Sequence, residues 1–342
     1  MDKVGMYGGS FDPLHLGHLN CMIEAASRCE ELYIVLSYSR TRDFVPMEIR
    51  YRWILNSLKH IGNVKIICIE DTAETKENYT DDYWKEGANE IKLKIGKSID
   101  VVFCGSDYIG TNKFENLYSE SKIHYFSRDV ISISSTEIRK NPLKYWDFIP
   151  NICKPYFVKK VLIVGGESTG KSVLTQNLAL SFNTNFVSEV GRETCDYAGG
   201  EDFMIAEDLI ENLMKQKLNV DEAIKSSNKV LFVDTDALIT LFYSYFLLNE
   251  NSKQFKNCEL LANAINSINE WDLVLFLEPT VKFVQDGTRS EEIANDRIKY
   301  SNQIKALFNK KGISFLTINS DNYADRLNLA KKYVKNILEG GI

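Results

Sequence analysis

GGESTGKS, at residues 165–172, is the stretch that decides the fold of half of this 342-residue chain. It completes the phosphate-loop pattern G-x-x-x-x-G-K-[ST], and its members are Gly165, Gly166, Glu167, Ser168, Thr169, Gly170, Lys171 and Ser172. A short apolar run at 159–164 precedes the stretch, and a segment with helical spacing of apolar residues follows it. Because phosphate binding requires the order strand, glycine-rich loop, helix, the motif predicts a nucleoside triphosphate site.

The residue types in this loop fit ATP chemically. Glycines let backbone N–H groups close around phosphate oxygens at a helix N-terminus. Lys171 reaches the β- and γ-phosphates, and the hydroxyl of Ser172 can bind Mg²⁺. We therefore assign the whole loop to ATP binding and Lys171 to catalysis.

The position of the loop implies a second domain, because nearly half of the chain precedes it. At roughly 150 residues per domain, 342 residues predict two domains. Apolar strands alternate with helical segments in both halves, which is typical of α/β domains with a parallel sheet flanked by helices. The predicted strands are 3–7, 32–36, 64–69, 100–104, 123–126, 160–164, 185–187, 230–234, 273–277 and 314–318, and the last helix is expected at 322–338. A segment with prolines and aromatics at 141–150 indicates a boundary near residue 150, giving domains 1–150 and 151–342.

Composition narrows the class of protein. Hydrophobic residues make up 44% of the chain and the net charge is −6, so no general basic field is available for nucleic acid, and anionic substrates must be held by local groups. The seven cysteines are scattered without a C-x-x-C pair, which favours reduced thiols in a cytoplasmic protein. The longest apolar run, 238–248, is too short to span a bilayer, and we expect no membrane insertion. A homo-oligomer is compatible with these features.

The first half opens with a second phosphate-binding pattern, GGSFDPLHLGH at residues 8–18. The predicted strand runs into a glycine turn, and two histidines three residues apart share one face at a helix start. Imidazoles at a helix N-terminus beside flexible backbone form an anion site that can donate hydrogen bonds. The candidate ATP-binding residues of this motif are Gly8, Gly9, Ser10, Phe11, His15 and His18.

A third pattern, ISSTEIR at 133–139, combines hydroxyl residues that can cap a helix with an arginine on its first turns. Helix capping alone would explain Ser135 or Thr136. Taken together with the histidine motif, the pattern predicts a second part of the same phosphate site. Its candidate residues are Ser134, Ser135, Thr136 and Arg139.

These motifs carry a resemblance to a known family. The pair G-x-F-D-P-x-H-x-G-H and I-S-S-T-x-I-R resembles the nucleotidyltransferases, specifically nicotinamide mononucleotide adenylyltransferases. Joined to a phosphate-loop kinase, the chain resembles the bifunctional NadR family, in which that enzyme is fused to ribosylnicotinamide kinase. YWDFIP at 145–150, EVGRE at 189–193, FVDTD at 232–236 and DGTRS at 286–290 extend the resemblance over essentially the whole chain. Some family members carry an N-terminal helix-turn-helix and act as repressors; since the first motif starts at Gly8, we expect no such domain here.

The resemblance implies an N-terminal Rossmann-like nucleotidyltransferase and a C-terminal P-loop kinase. It implies that nicotinamide riboside is phosphorylated by ATP and that the mononucleotide is then adenylylated by a second ATP to give NAD and pyrophosphate. In the first domain, His15 and His18 would contact the ATP phosphates, with His18 at the α-phosphate. The departing β- and γ-phosphates would be held by Ser134, Ser135, Thr136 and Arg139.

In the kinase half, carboxylates follow a predicted strand at the edge where parallel sheets bind ligands. A hydroxyl nucleophile benefits from a carboxylate that accepts its proton, and Asp234, Asp236 and Glu189 are the candidates. We favour Asp234 for Mg²⁺, beside Ser172, and Glu189 or Asp236 for the ribose and the proton. The segment 285–290 suits a closing lid that brings Arg289 to the transferred phosphoryl group.

Candidates for contact with the pyridine ring and its ribose are less tightly constrained. In the first domain they are Trp53 and Trp84, for which packing between sheet and helices is an equal alternative. In the kinase they are Arg192, Phe283 and Asp286. Family members often carry tryptophan near the start of the lid segment, whereas here Phe283 stands nearby; a phenylalanine face still attracts a cation.

Two alternatives to this function stay open at this point, one of the same class and one of a different class. One is the same architecture with a single active domain or a different nucleoside substrate. The other is a non-catalytic sensor of adenine nucleotides coupled to riboside uptake. A sensor needs binding but not the joint presence of His18, Lys171 and both aspartates, so the enzyme is the favoured interpretation.

Overall fold

The computed structural model of the chain describes residues 2–75, 78–127, 133–284 and 295–340. It divides into two compact units, Met1–Lys154 and Pro155–Ile342. The segment 151–154 groups with the first unit, and Cys153 within it is fully buried. The chain therefore leaves the first unit at Pro155, slightly later than the expected boundary near residue 150.

A five-stranded parallel sheet in the order β3-β2-β1-β4-β5 forms the centre of the first unit. Its strands are β1 (Asp2–Gly9), β2 (Cys29–Tyr38), β3 (Val64–Glu70), β4 (Val101–Gly105) and β5 (Lys122–Phe126). The strand order reverses at β1, since β2 lies on one side of it and β4 on the other. In open parallel sheets, ligands bind outside the carboxyl ends of the strands at such a reversal, which here is the glycine turn after β1.

The helices of the first unit that contact its sheet lie between successive strands in the chain. Its helices in the described residues are α1 (Leu16–Arg28), α2 (Met47–Leu58), α3 (Asp81–Ile95), α4 (Lys113–Leu117) and α5 (Ser135–Lys140). One apolar cluster between sheet and helices includes Met6 and Val102 from the strands and Ile95 from α3. Residues 32–36 of β2 are buried without interruption, so both faces of the sheet are covered, which explains why the strands are near-continuous apolar runs rather than alternating ones.

The second unit contains another five-stranded parallel sheet, in the order β10-β9-β6-β8-β7. The strands are β6 (Lys159–Gly165), β7 (Phe186–Val187), β8 (Val230–Asp234), β9 (Leu273–Leu277) and β10 (Leu316–Ile318). The central strand β6 leads directly into the phosphate loop. Because β8 and β9 flank it, the residues that follow those two strands border the loop.

The helices of the second unit, within the described residues, pack around this sheet. They are α6 (Lys171–Phe182), α7 (Gly191–Ala198), α8 (Ala206–Ala223), α9 (Ala237–Leu247), α10 (Lys253–Ile268), α11 (Arg297–Lys310) and α12 (Tyr323–Leu338). A core cluster joins Ile163 and Phe232 of the strands to Leu178 of α6 and Val334 of α12. The strand and the helix that flank the phosphate loop thus share one core with the last helix.

The predicted fold class is confirmed: each half is a parallel sheet flanked by helices. The differences are confined to element ends. Strand β2 starts at Cys29 rather than residue 32 because α1 ends at Arg28 with no intervening loop. The last helix starts at Tyr323 because the side chain of Asn322 caps it, accepting hydrogen bonds from the amides of Ala324 and Asp325. Among the helices of the described ranges, none is long and apolar enough to cross a bilayer.

Candidate active sites

The glycine turn after β1 has a geometry that requires small residues. A Cβ atom added to Gly9 would lie 2.9 Å from Cε1 of Phe11, whose own backbone is left-handed with φ of 49°. Phe11 is buried, whereas Gly8 and Ser10 are exposed. The turn thus anchors one aromatic side chain in the core and presents backbone at the carboxyl edge of the sheet.

The two histidines of this motif stack on each other at the start of α1. His15 caps the helix, its Nδ1 accepting a hydrogen bond from the His18 backbone N–H at 3.4 Å. The ring centroids lie 3.5 Å apart, and Phe11 packs its edge against His18 with centroids 5.0 Å apart. His15 is 5% exposed and His18 is partly exposed. Two imidazoles at a helix N-terminus make a site suited to a phosphate anion.

The second motif of the first half meets the first one in space. Ser134 caps α5 in a reciprocal capping box with Glu137. The Ser135 hydroxyl donates to the carbonyl of Pro13 at 3.1 Å, and the Arg139 guanidinium donates to the carbonyl of Asp12. These contacts bring residues separated by more than one hundred positions to one edge of the sheet.

Thr136 completes this arrangement as an exposed residue on the first turn of α5. Its hydroxyl accepts a hydrogen bond from Arg139 at 3.0 Å. Since Ser135 and Arg139 already hold carbonyls of the glycine-turn segment, the motif has a structural role as well as a possible phosphate contact. The capping alternative raised by the sequence applies to Ser134, the residue that caps α5, rather than to Ser135 or Thr136.

A fully buried arginine supports the glycine turn and was not assigned a role from the sequence. Arg50, 0% exposed, donates to the carbonyls of Ser10 and Ser37 and to the carboxylate of Asp43. Burial raises the pKa of Asp43, while the amide of Ser39 and the charge of Arg50 lower it. Nothing in the sequence indicated this role, because an arginine in a helix is usually exposed.

The two tryptophan candidates lie in different environments. Trp53, on α2, is only 6% exposed, in line with the packing alternative. Trp84, on α3, is partly exposed and belongs to an aromatic cluster with Tyr79 and Phe114. Lys113 places its Nζ 4.4 Å from the centre of the Trp84 ring, so a cation already occupies one face of that ring.

In the second unit, the phosphate loop has the backbone geometry that its glycines predict. Gly165 has φ of 151°, and a Cβ there would lie 2.6 Å from the carbonyl oxygen of Leu277. Gly170 has φ of 84° and directly precedes α6. The Thr169 hydroxyl donates to the Gly166 carbonyl at 2.8 Å and closes the loop on itself. Lys171, the first residue of α6, donates to the same carbonyl at 3.2 Å.

The aspartates at the end of β8 and directly after it are both buried beside this loop. Asp234 pairs in register with Ile163 of β6 and is 1% exposed. Its Oδ1 accepts from Thr235 at 3.1 Å, whereas its buried Oδ2 has no hydrogen-bond partner among the described residues. Asp236 caps α9, accepting from the amide of Leu238 at 3.1 Å. Burial raises the pKa of Asp236 to about 7, despite the lowering effect of hydrogen bonds from backbone amides.

A cavity beside the phosphate loop brings together six of the predicted kinase residues. Its lining includes Glu167, Ser168, Lys171, Glu189, Arg192 and Asp236. Phe283 is not part of this lining; its ring faces Arg297, whose guanidinium carbon lies 5.5 Å from the ring centre. The candidates Asp286 and Arg289 lie outside the described residues. The lining combines four carboxylates with Lys171 of the phosphate loop, a composition that suits a nucleoside next to ATP.

Polar residues of α8 form part of this cavity and were missed by the sequence interpretation. Gln216 accepts from the Val190 amide at 3.2 Å and donates to the carbonyls of Asp234 and Thr235 at 3.1 and 3.2 Å. Asn212, one turn earlier, is also buried. The sequence did contain a signal: Asn212 and Gln216 are four residues apart and lie on an apolar helix face. Buried amides must form hydrogen bonds, so such a pair indicates polar partners nearby.

Tyr243 of α9 is the second missed residue of the cavity. Its hydroxyl donates to the Glu167 carboxylate at 3.1 Å. Burial, followed by the charges of Glu167 and Glu189, raises the pKa of Tyr243 well above its usual value. Within an apolar helix, a tyrosine gives no sequence signal that separates packing from ligand contact.

Comparisons with known proteins agree with this division of chemistry. A family model described as cytidylyltransferase-like matches residues 6–141, and one described as an AAA domain matches residues 160–326. The chain is 29% identical to "Trifunctional NAD biosynthesis/regulator protein NadR" of Escherichia coli (strain K12), covering 98% of this chain and 83% of that protein. The protein of the same name from Salmonella typhimurium gives the same identity and coverage.

Solved structures show the same fold. A NadR protein in complex with NR aligns with a TM-score of 0.82 at 22% identity, covering 98% of this chain and 96% of that one. A NadR protein in complex with NAD and AMP-PNP aligns with the same score and identity over 100% of this chain. The resemblance found in the sequence is confirmed: the chain is a homologue of the NadR proteins over 98% of its length.

Proposed function

We propose that this protein makes NAD in two steps, phosphorylating nicotinamide riboside with ATP and then adenylylating the mononucleotide with a second ATP. One observation carries the proposal. A chain homologous to NadR over 98% of its length holds a histidine phosphate site in one unit and a phosphate loop with a carboxylate-lined cavity in the other. Small molecules are the ligands this implies: nicotinamide riboside, its mononucleotide, ATP and NAD.

The kinase step transfers the γ-phosphoryl group to the 5′-hydroxyl of the riboside, forming an O–P bond as ADP leaves. Lys171 and the amides at the start of α6 bind the triphosphate. The hydroxyl must lose a proton, and we assign its acceptor to Asp236. Asp236 lines the cavity, and its pKa of about 7 matches the requirement of a general base near neutral pH. We then assign Glu189 to binding of the ribose.

One atom of the kinase site, Oδ2 of Asp234, supports the binding of Mg²⁺ there. The buried Oδ2 of Asp234 is without a hydrogen-bond partner in the described residues, and an unpaired buried carboxylate oxygen is costly unless a cation binds it. Asp234 and Ser172 would hold the ion. When bound, Mg²⁺ neutralises charge on the phosphates.

The riboside is assigned to the cavity next to Tyr243 and Glu167. Nicotinamide riboside carries a positive pyridinium ring, which is attracted both by an aromatic face and by carboxylates. Glu167 belongs to the phosphate loop, yet its side chain lines the cavity and accepts from Tyr243. We therefore move Glu167 from ATP binding to substrate binding.

The adenylyl step joins a phosphate oxygen of the mononucleotide to the α-phosphorus of ATP, and pyrophosphate leaves. The attacking phosphate is already ionised at neutral pH, so positioning and charge stabilisation suffice. We assign His15 and His18 to the ATP phosphates, with His18 at the α-phosphate. Arg139 and the hydroxyls of α5 receive the departing pyrophosphate.

The test is a product analysis on the purified full-length chain. Nicotinamide riboside, ATP and Mg²⁺ are supplied, and the mononucleotide, NAD, ADP and pyrophosphate are quantified with time. We expect the mononucleotide to appear first and NAD to follow, with ADP and pyrophosphate as the matching co-products. Absence of all four products from well-folded protein would reject the proposal.

A further inference from the structure

Arg326 is a buried arginine of the second unit that belongs to none of the motifs described above. It lies in the first turns of α12 and is 2% exposed. Its guanidinium donates to four oxygens, each at 2.5 or 2.6 Å: the carbonyls of Thr169, Glu278 and Ser320 and the hydroxyl of Thr280. A side chain that is both this buried and this fully bonded is fixed in one position.

The four acceptors come from three loops at the same edge of the sheet. Thr169 belongs to the phosphate loop after β6, Glu278 and Thr280 follow β9, and Ser320 follows β10. One planar fork therefore ties the phosphate loop to its neighbours. Lysine could not reproduce this arrangement, because an ammonium lacks the fixed directions of a guanidinium.

The acceptors of Arg326 in the described part of the chain are all neutral oxygens. Burial lowers the pKa of this guanidinium, but arginine stays protonated in proteins. A buried charge without a carboxylate partner is a poor source of stability. Its positive charge, lying against the phosphate loop, instead adds to the attraction for a triphosphate.

A second arginine acts on the preceding residues of the loop. Arg297, at the start of α11, donates to the carbonyls of Glu167 and Ser168 at 3.4 and 3.2 Å. The carbonyls of residues 167, 168 and 169 are thus all bound by arginine side chains. In a trans peptide the N–H points away from the preceding C=O, so these contacts turn the next three amides toward the opposite side.

We propose that Arg326 is a positioning residue for ATP in the kinase, which holds the phosphate loop with its amides directed at the triphosphate. The inference rests on the proposed kinase activity. It assigns no chemical step to Arg326 and predicts an effect on ATP rather than on the riboside.

The test uses Arg326→Lys, which keeps the charge and removes the fork. Initial rates of ADP formation are measured against ATP at saturating riboside, and against riboside at saturating ATP. We expect the KM for ATP to rise about tenfold, since hydrogen bonds made by a charged group are lost. The KM for the riboside and the rate of pyrophosphate formation from the mononucleotide should stay as in the wild type.

Val334→Ala is the matched control, because Val334 is a fully buried residue of the same helix that packs in the core. It should lower the melting temperature and leave the KM for ATP unchanged. Thr280→Val removes one acceptor of Arg326, together with the hydrogen bond that the Thr280 hydroxyl donates to the Ser320 carbonyl at 2.5 Å. It should raise the KM for ATP by about threefold, a readout that remains if Arg326→Lys does not fold.

The proposal is overturned if folded Arg326→Lys has a wild-type KM for ATP, with or without a loss of thermal stability, or if Val334→Ala raises that KM equally. It is likewise overturned if Arg326→Lys does not fold and Thr280→Val leaves the KM unchanged. A wild-type protein that forms no ADP from the riboside would instead contradict the proposed kinase function.

Discussion

Tyr243 donates a hydrogen bond to the carboxylate of Glu167 at 3.1 Å, linking a helix of the cavity wall to the phosphate loop. Glu167 belongs to the phosphate loop, which is assigned to ATP, and its side chain also lines the cavity that suits a nucleoside. The pair therefore lies where the two substrates of the proposed kinase would meet. It also supplies an aromatic ring and a negative charge at one place. We therefore expect the pair to act on recognition of the riboside.

Tyr243→Phe removes the hydroxyl and keeps the ring. We expect the KM for the riboside to rise about tenfold, because Glu167 loses the hydrogen bond that positions its carboxylate for the riboside. Initial rates of ADP formation at saturating ATP measure this change. The KM for ATP serves as the control, and a variant that raised only the KM for ATP would argue that the pair serves the phosphate loop.

The charge of the substrate can be tested with the dihydropyridine form of the riboside, which is nearly the same size but neutral. We expect its kcat/KM in the kinase step to be about tenfold lower than that of the pyridinium form, since aromatic and carboxylate contacts favour a cation. Glu167→Gln should narrow the difference. Equal rates for both forms in the wild type would contradict this assignment of the cavity.

The assignment of Asp236 as proton acceptor predicts a pH dependence. Burial raises the pKa of this carboxyl to about 7, so it is protonated below that pH and cannot accept a proton there. The kcat/KM for the riboside should fall about tenfold from pH 8 to pH 6. A wild-type profile without an inflection near neutrality would point to Glu189 instead. Asp236→Asn should remove the inflection together with most of the kinase activity.

Alanine substitution of two adjacent glycines in the phosphate loop should affect the free energy of unfolding differently. Gly165→Ala combines φ of 151° with a contact of 2.6 Å to a backbone carbonyl, so it should lower the free energy of unfolding of the second unit by about 1–3 kcal/mol. A Cβ at Gly166 would meet no atom within 4 Å, so Gly166→Ala should leave that free energy nearly unchanged. Thermal unfolding of both variants measures the contrast; equal losses would contradict it.

The glycine turns and the aspartates at the end of a strand could be predicted from the sequence. The glycine turns at Gly9 and Gly165 follow apolar strands, and each is required by a close approach that only glycine permits. Asp234 and Asp236 were predicted at the end of their strand because parallel strands present their carboxyl ends at one edge. These signals are local in the chain, which is why they were visible.

The supporting contacts could not be predicted, because they join distant segments. Three such residues are polar and lie within helices: Arg50, Gln216 and Arg326. Polar side chains in helices are usually exposed, so the sequence alone indicates a solvent-facing position for each. Only the fold reveals that each is buried and holds carbonyls of a functional loop. Phe283 stays a candidate for the pyridine ring; its ring lies against Arg297, outside the cavity lining.

The central claim is that two independent sites act in sequence, and separate inactivation tests it most directly. Lys171→Ala and His18→Ala are each supplied with ATP and Mg²⁺, and with either the riboside or the mononucleotide, while NAD and mononucleotide are quantified. Lys171→Ala should convert the mononucleotide to NAD at the wild-type rate and fail with the riboside. His18→Ala should accumulate mononucleotide and form NAD about 10²–10³ times more slowly. If folded Lys171→Ala lost both conversions, the account of two separate sites would be wrong.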